Sequence, residues 1–238
     1  MNRILFEQDE IKDGVVVLSD ARAAHITNIL HADVGDSLKT GEINGKIGTS
    51  EVIGLEGDGK VVLRVHHIET SLMPWADLIL APPRPRVLKR LLPQLASLGV
   101  GRIVLVGARK VEKDFWGATL LQEENFKPLL IEGLTQAGVS ILPTLETRRA
   151  FKKFLVEELD SLFPTRHRVL AHPYGESEKF DTISSRERLL LAVGPEGGWT
   201  DEEVALFRER GFRLMTLGKR ILRSDTALIA LLSKLNME

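Results

Sequence analysis

The sequence predicts an α/β protein in which a parallel sheet is covered by helices on both faces and follows a small β-barrel domain. Beyond residue 75, apolar runs of strand length alternate with segments of helical periodicity, as in a parallel sheet. Before residue 70, short strand-like segments are separated by turn sequences, as in a small barrel. The Met73-Pro74-Trp75 stretch separates the two regimes. We therefore predict domains at 1–72 and 73–238.

In the first domain, β-branched residues predict a strand at 15–18, and a short helix is expected at 21–30. Segment 38–55 contains Asn44-Gly45, the preferred sequence of a tight type I′ hairpin turn. Segment 60–68 alternates apolar and polar residues, as a half-buried strand does.

In the second domain, continuous apolar runs such as 76–81 and 189–193 predict strands that are buried on both faces. Leucines at helical spacing predict a helix over 87–98, with Pro93 as a local kink. Further strands are expected at 102–106, 139–145, 168–171 and 212–217, and further helices at 119–137, 147–162, 200–210 and 224–235.

Composition excludes several classes of protein. The chain has no cysteine, which excludes disulfides, thiolate metal sites and cysteine nucleophiles. No apolar run reaches the roughly 20 residues of a membrane span, and the charged N-terminus does not resemble a signal peptide. We expect a cytoplasmic protein without membrane attachment.

Charge is distributed unevenly, although the net charge is only −1. Residues 84–113 carry eight basic side chains against one acidic one, and residues 208–223 carry six against one. Such runs favour contact with an anionic partner, or they are solvated helix faces.

Common nucleotide and metal motifs are missing. Neither a G-x-G-x-x-G after the first strand of the α/β region nor a P-loop is present. The neighbouring His66 and His67 would point to opposite faces of a strand, so we expect no metal site.

Two loops at the carboxyl ends of predicted strands stand out. The first, Gly194–Gly198, is glycine-rich and leads into a helix with the capping-box pattern Thr200 to Glu203. Four nearby carboxylates disfavour phosphate, so a neutral or cationic ligand such as S-adenosylmethionine fits better, unless the glycines serve only a sharp turn. The second, 217–223, precedes the last helix, for which Ser224 is the expected N-cap. Ligands of open α/β sheets bind at such an edge.

The GPEGG sequence, followed by an acidic helix start and then by LGKRILRSDTA, resembles the signature of the RsmE-type 16S ribosomal RNA uracil-N3 methyltransferases of the SPOUT superfamily. The resemblance in architecture covers nearly the whole chain. It implies a PUA-like RNA-binding barrel, a SPOUT methyltransferase domain with a C-terminal trefoil knot, S-adenosylmethionine as cofactor, and a homodimer with its active site near the subunit interface.

The resemblance also implies roles for individual residues. Arg223 and Arg220 would be catalytic, stabilising charge on the uracil; for Arg223 the alternative is a structural salt bridge or a phosphate contact. The cofactor would be held by residues of three loops and the last helix: Leu170, His172, Pro173, Gly194, Pro195, Glu196, Gly197, Gly198, Leu217, Gly218, Ile221, Leu222, Arg223 and Thr226.

The expected partner is ribosomal RNA or the small ribosomal subunit. Phosphate contacts are predicted for the basic residues Arg3, Arg22, Arg84, Arg86, Lys89, Arg90, Arg109 and Lys110. Charged residues of the family are replaced at Asn28, His31, Gln94 and Ser97. Two alternatives therefore stay open: a methyltransferase of the same class that acts on another RNA, and a cofactor-binding, RNA-associated protein without catalysis.

Overall fold

The computed structural model describes residues 3–57, 59–174, 178 and 188–236. The chain divides into two compact units. The first unit combines Met1–Leu72 with Ile131–Leu142, and the second combines Met73–Leu130 with Pro143–Glu238.

The first unit contains a five-stranded sheet and one helix. The strands are β1 (Ile4–Phe6), β2 (Val15–Leu18), β3 (Ser37–Glu42), β4 (Ile47–Leu55) and β5 (Val61–Glu69), and the helix is α1 (Ala21–Asn28). The strand order is β1-β3-β4-β5-β2, with β1 parallel to β3 and the other pairs antiparallel. Its core contains the fully buried side chains of Phe6, Val16, Ile26 and Leu63. The apolar residues of the alternating strand sequences therefore face inward.

The hairpin between β3 and β4 differs from the predicted type I′ turn. Asn44 has a φ of +60°, but Gly45 is not among the positive-φ residues, and the loop spans 43–46. The backbone N–H of Ile43 donates to the Phe6 oxygen over 2.8 Å, and that of Asn44 donates to the Ser140 oxygen over 2.8 Å. Tertiary hydrogen bonds therefore override the local preference for a two-residue turn.

The second unit contains a six-stranded sheet. Its strands are β6 (Ala76–Leu80), β7 (Val100–Val106), β8 (Thr144–Arg148), β9 (Arg168–Ala171), β10 (Leu189–Val193) and β11 (Arg213–Met215). Their order is β11-β9-β10-β6-β7-β8, and every neighbouring pair is parallel. All residues of β6 and β10 are buried. β10 is apolar throughout, whereas β6 includes the charged Asp77, whose Oδ1 lies 3.1 Å from Arg188 Nη1.

The helices of this region are α2 (Pro85–Ser97), α3 (Glu123–Ala137), α4 (Phe151–Lys153), α5 (Leu159–Leu162), α6 (Asp201–Glu209) and α7 (Ser224–Leu235). A π-helical turn, Phe154–Glu158, joins α4 to α5. The helix expected at 147–162 therefore begins at Phe151, because β8 extends to Arg148.

The strand expected at 139–145 was wrongly placed. Strand β8 begins only at Thr144, because residues up to Leu142 belong to the first unit. There the fully buried Ser140 donates from Oγ to the Gly45 oxygen over 2.7 Å, and its N–H donates to Ser71 Oγ over 2.9 Å. Residues 139–142 therefore belong to the first unit and not to the parallel sheet.

Helices α6 and α7 begin at the carboxyl edge of the parallel sheet, after β10 and β11. The capping box of α6 is present, with Thr200 N–H donating to Glu203 Oε2 over 2.8 Å. The start of α7 differs from prediction: Arg223 is the N-cap and Ser224 is the first helical residue, without a side-chain cap. No helix within the described residues is long and apolar enough to cross a membrane.

Candidate active site

A cavity opens at the carboxyl edge of the sheet, where β9, β10 and β11 end. The empty space between its walls, counted out to the open mouth, is about 670 Å³. It is lined by Ala171, His172, Pro173, Val193, Gly194, Pro195, Glu196, Gly198, Trp199, Met215, Thr216, Leu217, Arg220, Ile221, Leu222, Ser224, Ala227 and Leu231. The lining is mainly apolar, with Glu196 as its carboxylate.

The glycine-rich loop lies against an aromatic cluster. A Cβ atom on Gly194 would lie only 3.0 Å from Trp199 Nε1, so a side chain at that position would crowd the indole. Trp199 packs edge-on against Phe207, with ring centroids 4.9 Å apart, and lies 5.7 Å from Phe151. Gly198 has a φ of +70°, a conformation that side chains disfavour. Gly194 and Gly198 both line the cavity, so the loop backbone borders it there.

The loop after β7 forms one hydrogen bond to the glycine-rich loop and one to the first turn of α6. Lys110 Nζ donates to the Gly197 oxygen over 2.7 Å. The backbone N–H of Arg109 donates to Glu203 Oε1 over 2.8 Å, and Glu203 is buried. These contacts fix both the tip of the loop and the start of α6.

The loop after β11 supplies the opposite wall. Leu217, Ile221 and Leu222 line the cavity, and the Ile221 side chain is exposed despite being apolar. Arg220 lines the cavity as well. Apolar side chains held open to solvent at a cavity are typical of a ligand contact.

A second, more open depression adjoins the cavity, and we refer to it as the basic cleft. It is lined by Arg84, Arg86, Val87, Arg90, Glu196, Ile221, Leu222 and Arg223. Glu196, Ile221 and Leu222 line both spaces. Four arginines against one carboxylate make the cleft strongly cationic, and it lies directly beside the apolar cavity.

The structure brings together most of the residues predicted to bind the cofactor. Those that line the cavity are His172, Pro173, Gly194, Pro195, Glu196, Gly198, Leu217, Ile221 and Leu222. Of the two predicted catalytic residues, Arg220 lines the cavity and Arg223 lines the basic cleft.

Four further predicted residues line neither space. Leu170 is fully buried in the apolar core, because it lies within β9 rather than at its end. Gly197 faces the Lys110 stem, and Gly218 is an exposed turn residue with a φ of +100°. Thr226 lines a shallow groove between α2 and α7 instead.

Sequence analysis missed several lining residues: Ala171, Val193, Trp199, Met215, Thr216, Ser224, Ala227 and Leu231. Ala171, Val193 and Met215 are the last residues of their strands. The ends at Ala171 and Val193 were predicted correctly, but these terminal strand residues were not counted as site residues. Ala227 and Leu231 are spaced four apart on α7, which places them on one helix face. Trp199 Nε1 is buried and has no hydrogen-bond partner among the described residues.

The arginines predicted to bind RNA in the first unit are engaged in its own structure. Arg3 donates from Nη1 to the Thr40 and Gly48 oxygens over 2.6 and 2.9 Å, and from Nε to the Gly138 oxygen over 2.9 Å. Arg22 is paired with Glu10 and Asp20, and these hydrogen bonds raise its pKa. Internal partners therefore occupy both guanidinium groups, and RNA binding by these two residues stays a prediction.

The residues of the second unit that were predicted to bind RNA are exposed. Arg84 is the N-cap of α2, and Arg86, Lys89 and Arg90 lie on that helix. Lys89 is the member of this group that does not line the basic cleft. Arg109 is exposed beside the Gly197 contact of Lys110. Within the described residues, no group of acidic side chains and histidines could hold a metal ion.

The sequence profile of the RNA methyltransferase domain family matches residues 71–236. This range covers the whole parallel sheet, the cavity and the basic cleft. This part of the chain is therefore an RNA methyltransferase domain.

Two curated relatives and one solved structure indicate which family of RNA methyltransferases the chain belongs to. The ribosomal RNA small subunit methyltransferase E of Treponema pallidum is 34% identical, over 97% of this chain and 88% of the relative. Methyltransferase E 1 of Borreliella burgdorferi is 26% identical, over 97% and 95%. The crystal structure of methyltransferase E from Neisseria gonorrhoeae, bound to S-adenosylmethionine, superimposes with a TM-score of 0.75 at 21% identity, over 98% and 96% of the two chains. This chain belongs to the ribosomal RNA small subunit methyltransferase E family.

Proposed function

We propose that this protein transfers a methyl group from S-adenosylmethionine to N3 of a uridine in the 16S RNA of the small ribosomal subunit. The observation that carries the proposal is the junction of two spaces at Glu196, Ile221 and Leu222. On one side lies an apolar cavity with a carboxylate, and on the other lies a cleft with four arginines. A cationic nucleoside cofactor and a polyanionic substrate need such adjacent environments.

The cavity fits S-adenosylmethionine in three respects. Leu217, Ile221 and Leu222 offer an apolar wall for the adenine ring, and Glu196 offers a carboxylate that favours a sulfonium charge. The backbone of the glycine-rich loop would meet polar groups of the ligand, because Gly194 and Gly198 line the cavity without side chains. The cofactor, when bound, supplies an electrophilic methyl group on a sulfonium centre. No metal is needed for such a displacement.

The chain's own residues would handle charge on the uracil. The N3 proton must leave before or during attack, which places negative charge on the base. Arg223 in the basic cleft and Arg220 in the cavity would stabilise that charge. Arginine stays protonated in proteins, so the proton passes to water or to another group.

RNA phosphates would be bound by Arg84, Arg86 and Arg90 of the basic cleft, with Lys89 and Arg109 alongside. Helices α2 and α7 also begin at this edge of the sheet, and helix N-termini favour anions. Lys110 would contribute after releasing the Gly197 oxygen, to which its Nζ donates.

Architectural features of the SPOUT class complete the proposal. We propose that the C-terminal segment, including β11 and α7, forms a trefoil knot and that the first unit is a PUA-like RNA-binding barrel. A homodimer would form over the groove between α2 and α7, where Leu91, Ile229 and Ala230 lie. A cytoplasmic location follows from the ribosomal substrate. Light scattering at micromolar concentration tests the dimer, and a monomer would contradict it.

The central experiment incubates the purified protein with S-adenosylmethionine and small subunits from a strain that lacks this gene. Mass spectrometry of the digested RNA then identifies the methylated nucleoside. We expect 3-methyluridine. Another methylated nucleoside, or transfer to a different RNA only, would favour the alternative substrate that the replacements at Gln94 and Ser97 suggest. Cofactor binding without transfer to any RNA would contradict an enzymatic function.

Two matched variants locate the cofactor in the cavity. Ala227 lines the cavity on α7, whereas Ala205 is exposed on α6 and outside it. Ala227→Phe should fill the space and raise the dissociation constant of S-adenosylmethionine at least about tenfold, and Ala205→Phe should leave it unchanged. Calorimetry measures both. Equal affinities in the two variants would place the cofactor elsewhere.

A further inference from the structure

The carboxylate of Asp225 lies between two arginines that come from different segments of the second unit. Asp225 Oδ2 is 3.6 Å from Nη2 of Arg90 on α2, and Oδ1 is 3.5 Å from Nε of Arg223 before α7. Both arginines line the basic cleft, whereas Asp225 is not among the residues that line it. One acidic group thus pairs with two of the cleft's four arginines.

The Asp225 carboxylate is itself fixed in place. Asp225 is the second residue of α7, and its Oδ1 accepts a hydrogen bond from the Thr226 N–H over 2.9 Å. Its side chain is 18% exposed, against 64% for Arg90 and 67% for Arg223. The positive end of the helix dipole also favours a carboxylate at this position. A largely buried and hydrogen-bonded carboxylate therefore pairs with two exposed guanidinium groups.

The negative charge of Asp225 opposes the attraction of the basic cleft for RNA. A carboxylate beside a cleft that binds polyanionic RNA weakens the attraction, since it cancels part of the positive charge. Attraction of RNA therefore does not explain an acidic residue at this position. Orientation of the arginines does explain it: a long arginine side chain free in solvent samples many rotamers, and a fixed ion-pair partner restricts them.

We propose that Asp225 is a positioning residue that orients the guanidinium group of Arg223 toward the uracil, and that of Arg90 toward the phosphate of the same nucleotide, in the basic cleft. The inference rests on the proposed methyl transfer and deepens it. Arg223 would face the charge that develops on the base, and Arg90 would hold the same nucleotide from the α2 side. Asp225 would contact neither substrate nor cofactor.

The test separates orientation from binding. In Asp225→Asn, we expect kcat for RNA methylation to fall about 10- to 100-fold, as misplaced catalytic groups cause. The dissociation constant of the RNA should stay unchanged or become tighter, because a negative charge is lost, and that of S-adenosylmethionine should not change. Asp225→Glu should restore most of kcat. Asp201→Asn, which removes an exposed acid from the start of α6, serves as the control.

A double-mutant cycle with Arg223→Lys identifies the route of the effect. If Asp225 acts through Arg223, the loss in Asp225→Asn/Arg223→Lys will be smaller than the product of the two single losses. Multiplicative losses, an unchanged kcat in Asp225→Asn, or a parallel loss of S-adenosylmethionine affinity would overturn the inference. Absence of methyl transfer by the unaltered protein would instead overturn the proposed function, and the inference with it.

Discussion

Lys110 Nζ donates a 2.7 Å hydrogen bond to the backbone oxygen of Gly197, from the loop after β7 to the tip of the glycine-rich loop. The aliphatic stem of the lysine packs on the same glycine, since a Cβ built there would lie 3.0 Å from Lys110 Cδ. The conformation of the glycine-rich loop thus depends on a residue distant in sequence. A loop held in its binding conformation loses less entropy when a ligand binds.

This contact predicts that Lys110 contributes to cofactor affinity without touching the cofactor. Lys110→Met keeps the apolar stem but removes the donor, and the loss of about 1 kcal/mol corresponds to a roughly fivefold weaker binding of S-adenosylmethionine. Calorimetry measures the constant. Lys113→Met, at another exposed lysine of the same connection, should bind normally. Equal affinities for both variants and the unaltered protein would contradict the coupling.

Glu203 should be important for the stability of the second unit. Its buried carboxylate accepts hydrogen bonds from the N–H groups of Arg109 and Thr200, both over 2.8 Å. Glu203→Ala leaves these donors without their acceptor, so we expect the free energy of unfolding to fall by about 2–3 kcal/mol. Urea denaturation measures the change. Glu202→Ala, at an exposed neighbour, should change stability by no more than about 0.5 kcal/mol.

The first unit should lose stability in acid because of His67. Its Nε2 lies 2.8 Å from Thr40 Oγ1, whose other contact is Ser50 Oγ at 2.6 Å. Burial, and then the nearby charge of Arg3, lower the pKa of His67. A lowered pKa means that the unfolded chain binds the proton more readily, so the free energy of unfolding falls as pH drops below about 6.5.

Urea denaturation of His67→Gln at pH 7.5 and pH 5.5 tests this assignment. The variant should lose less stability between the two pH values than the unaltered protein, since its side chain does not titrate. His66→Gln is the matched control, because His66 is the exposed neighbour on β5. A pH dependence that is identical in the unaltered protein and in His67→Gln would show that other groups control acid stability.

Sequence patterns located the strands that are buried on both faces most accurately. β9 and β10 begin and end where predicted, and α7 has the predicted bounds, because continuous apolar runs and clear helical periodicity leave few alternatives. β8 was misplaced because the apolar residues before it pack in the other unit. The Asn44-Gly45 turn was wrong in type because hydrogen bonds from residues distant in sequence shape it.

For the candidate site, the sequence predicted the three loops. It did not predict which of their side chains line the cavity or the basic cleft. Loop positions follow from the rule that ligands bind at the carboxyl edge of a parallel sheet. Leu170 was assigned to the site although the strand was predicted to end one residue later, at Ala171, and within β9 its side chain is fully buried. Arg3 resembles an RNA contact in sequence, yet its guanidinium is bound to backbone oxygens of the first unit. Only tertiary structure reveals such internal partners.

The basic cleft predicts a specific salt dependence of RNA binding. Each phosphate contact by an arginine contributes a slope of about 0.7 in a plot of log affinity against log salt for single-stranded nucleic acid. Arg84 and Arg86 line the cleft at the start of α2. Arg86→Gln should therefore weaken binding and reduce the slope by about 0.7, and Arg84→Gln/Arg86→Gln should reduce it by about twice that amount.

Fluorescence anisotropy with a labelled fragment of small-subunit RNA, at salt concentrations from about 50 to 200 mM, measures these slopes. Lys234→Gln is the control, because it removes an exposed charge in the last turn of α7, roughly 15 Å along the helix from the cleft. Its slope should equal that of the unaltered protein. If the lysine variant lowers the slope as much as Arg86→Gln does, RNA binding follows total charge and the basic cleft is not its docking site.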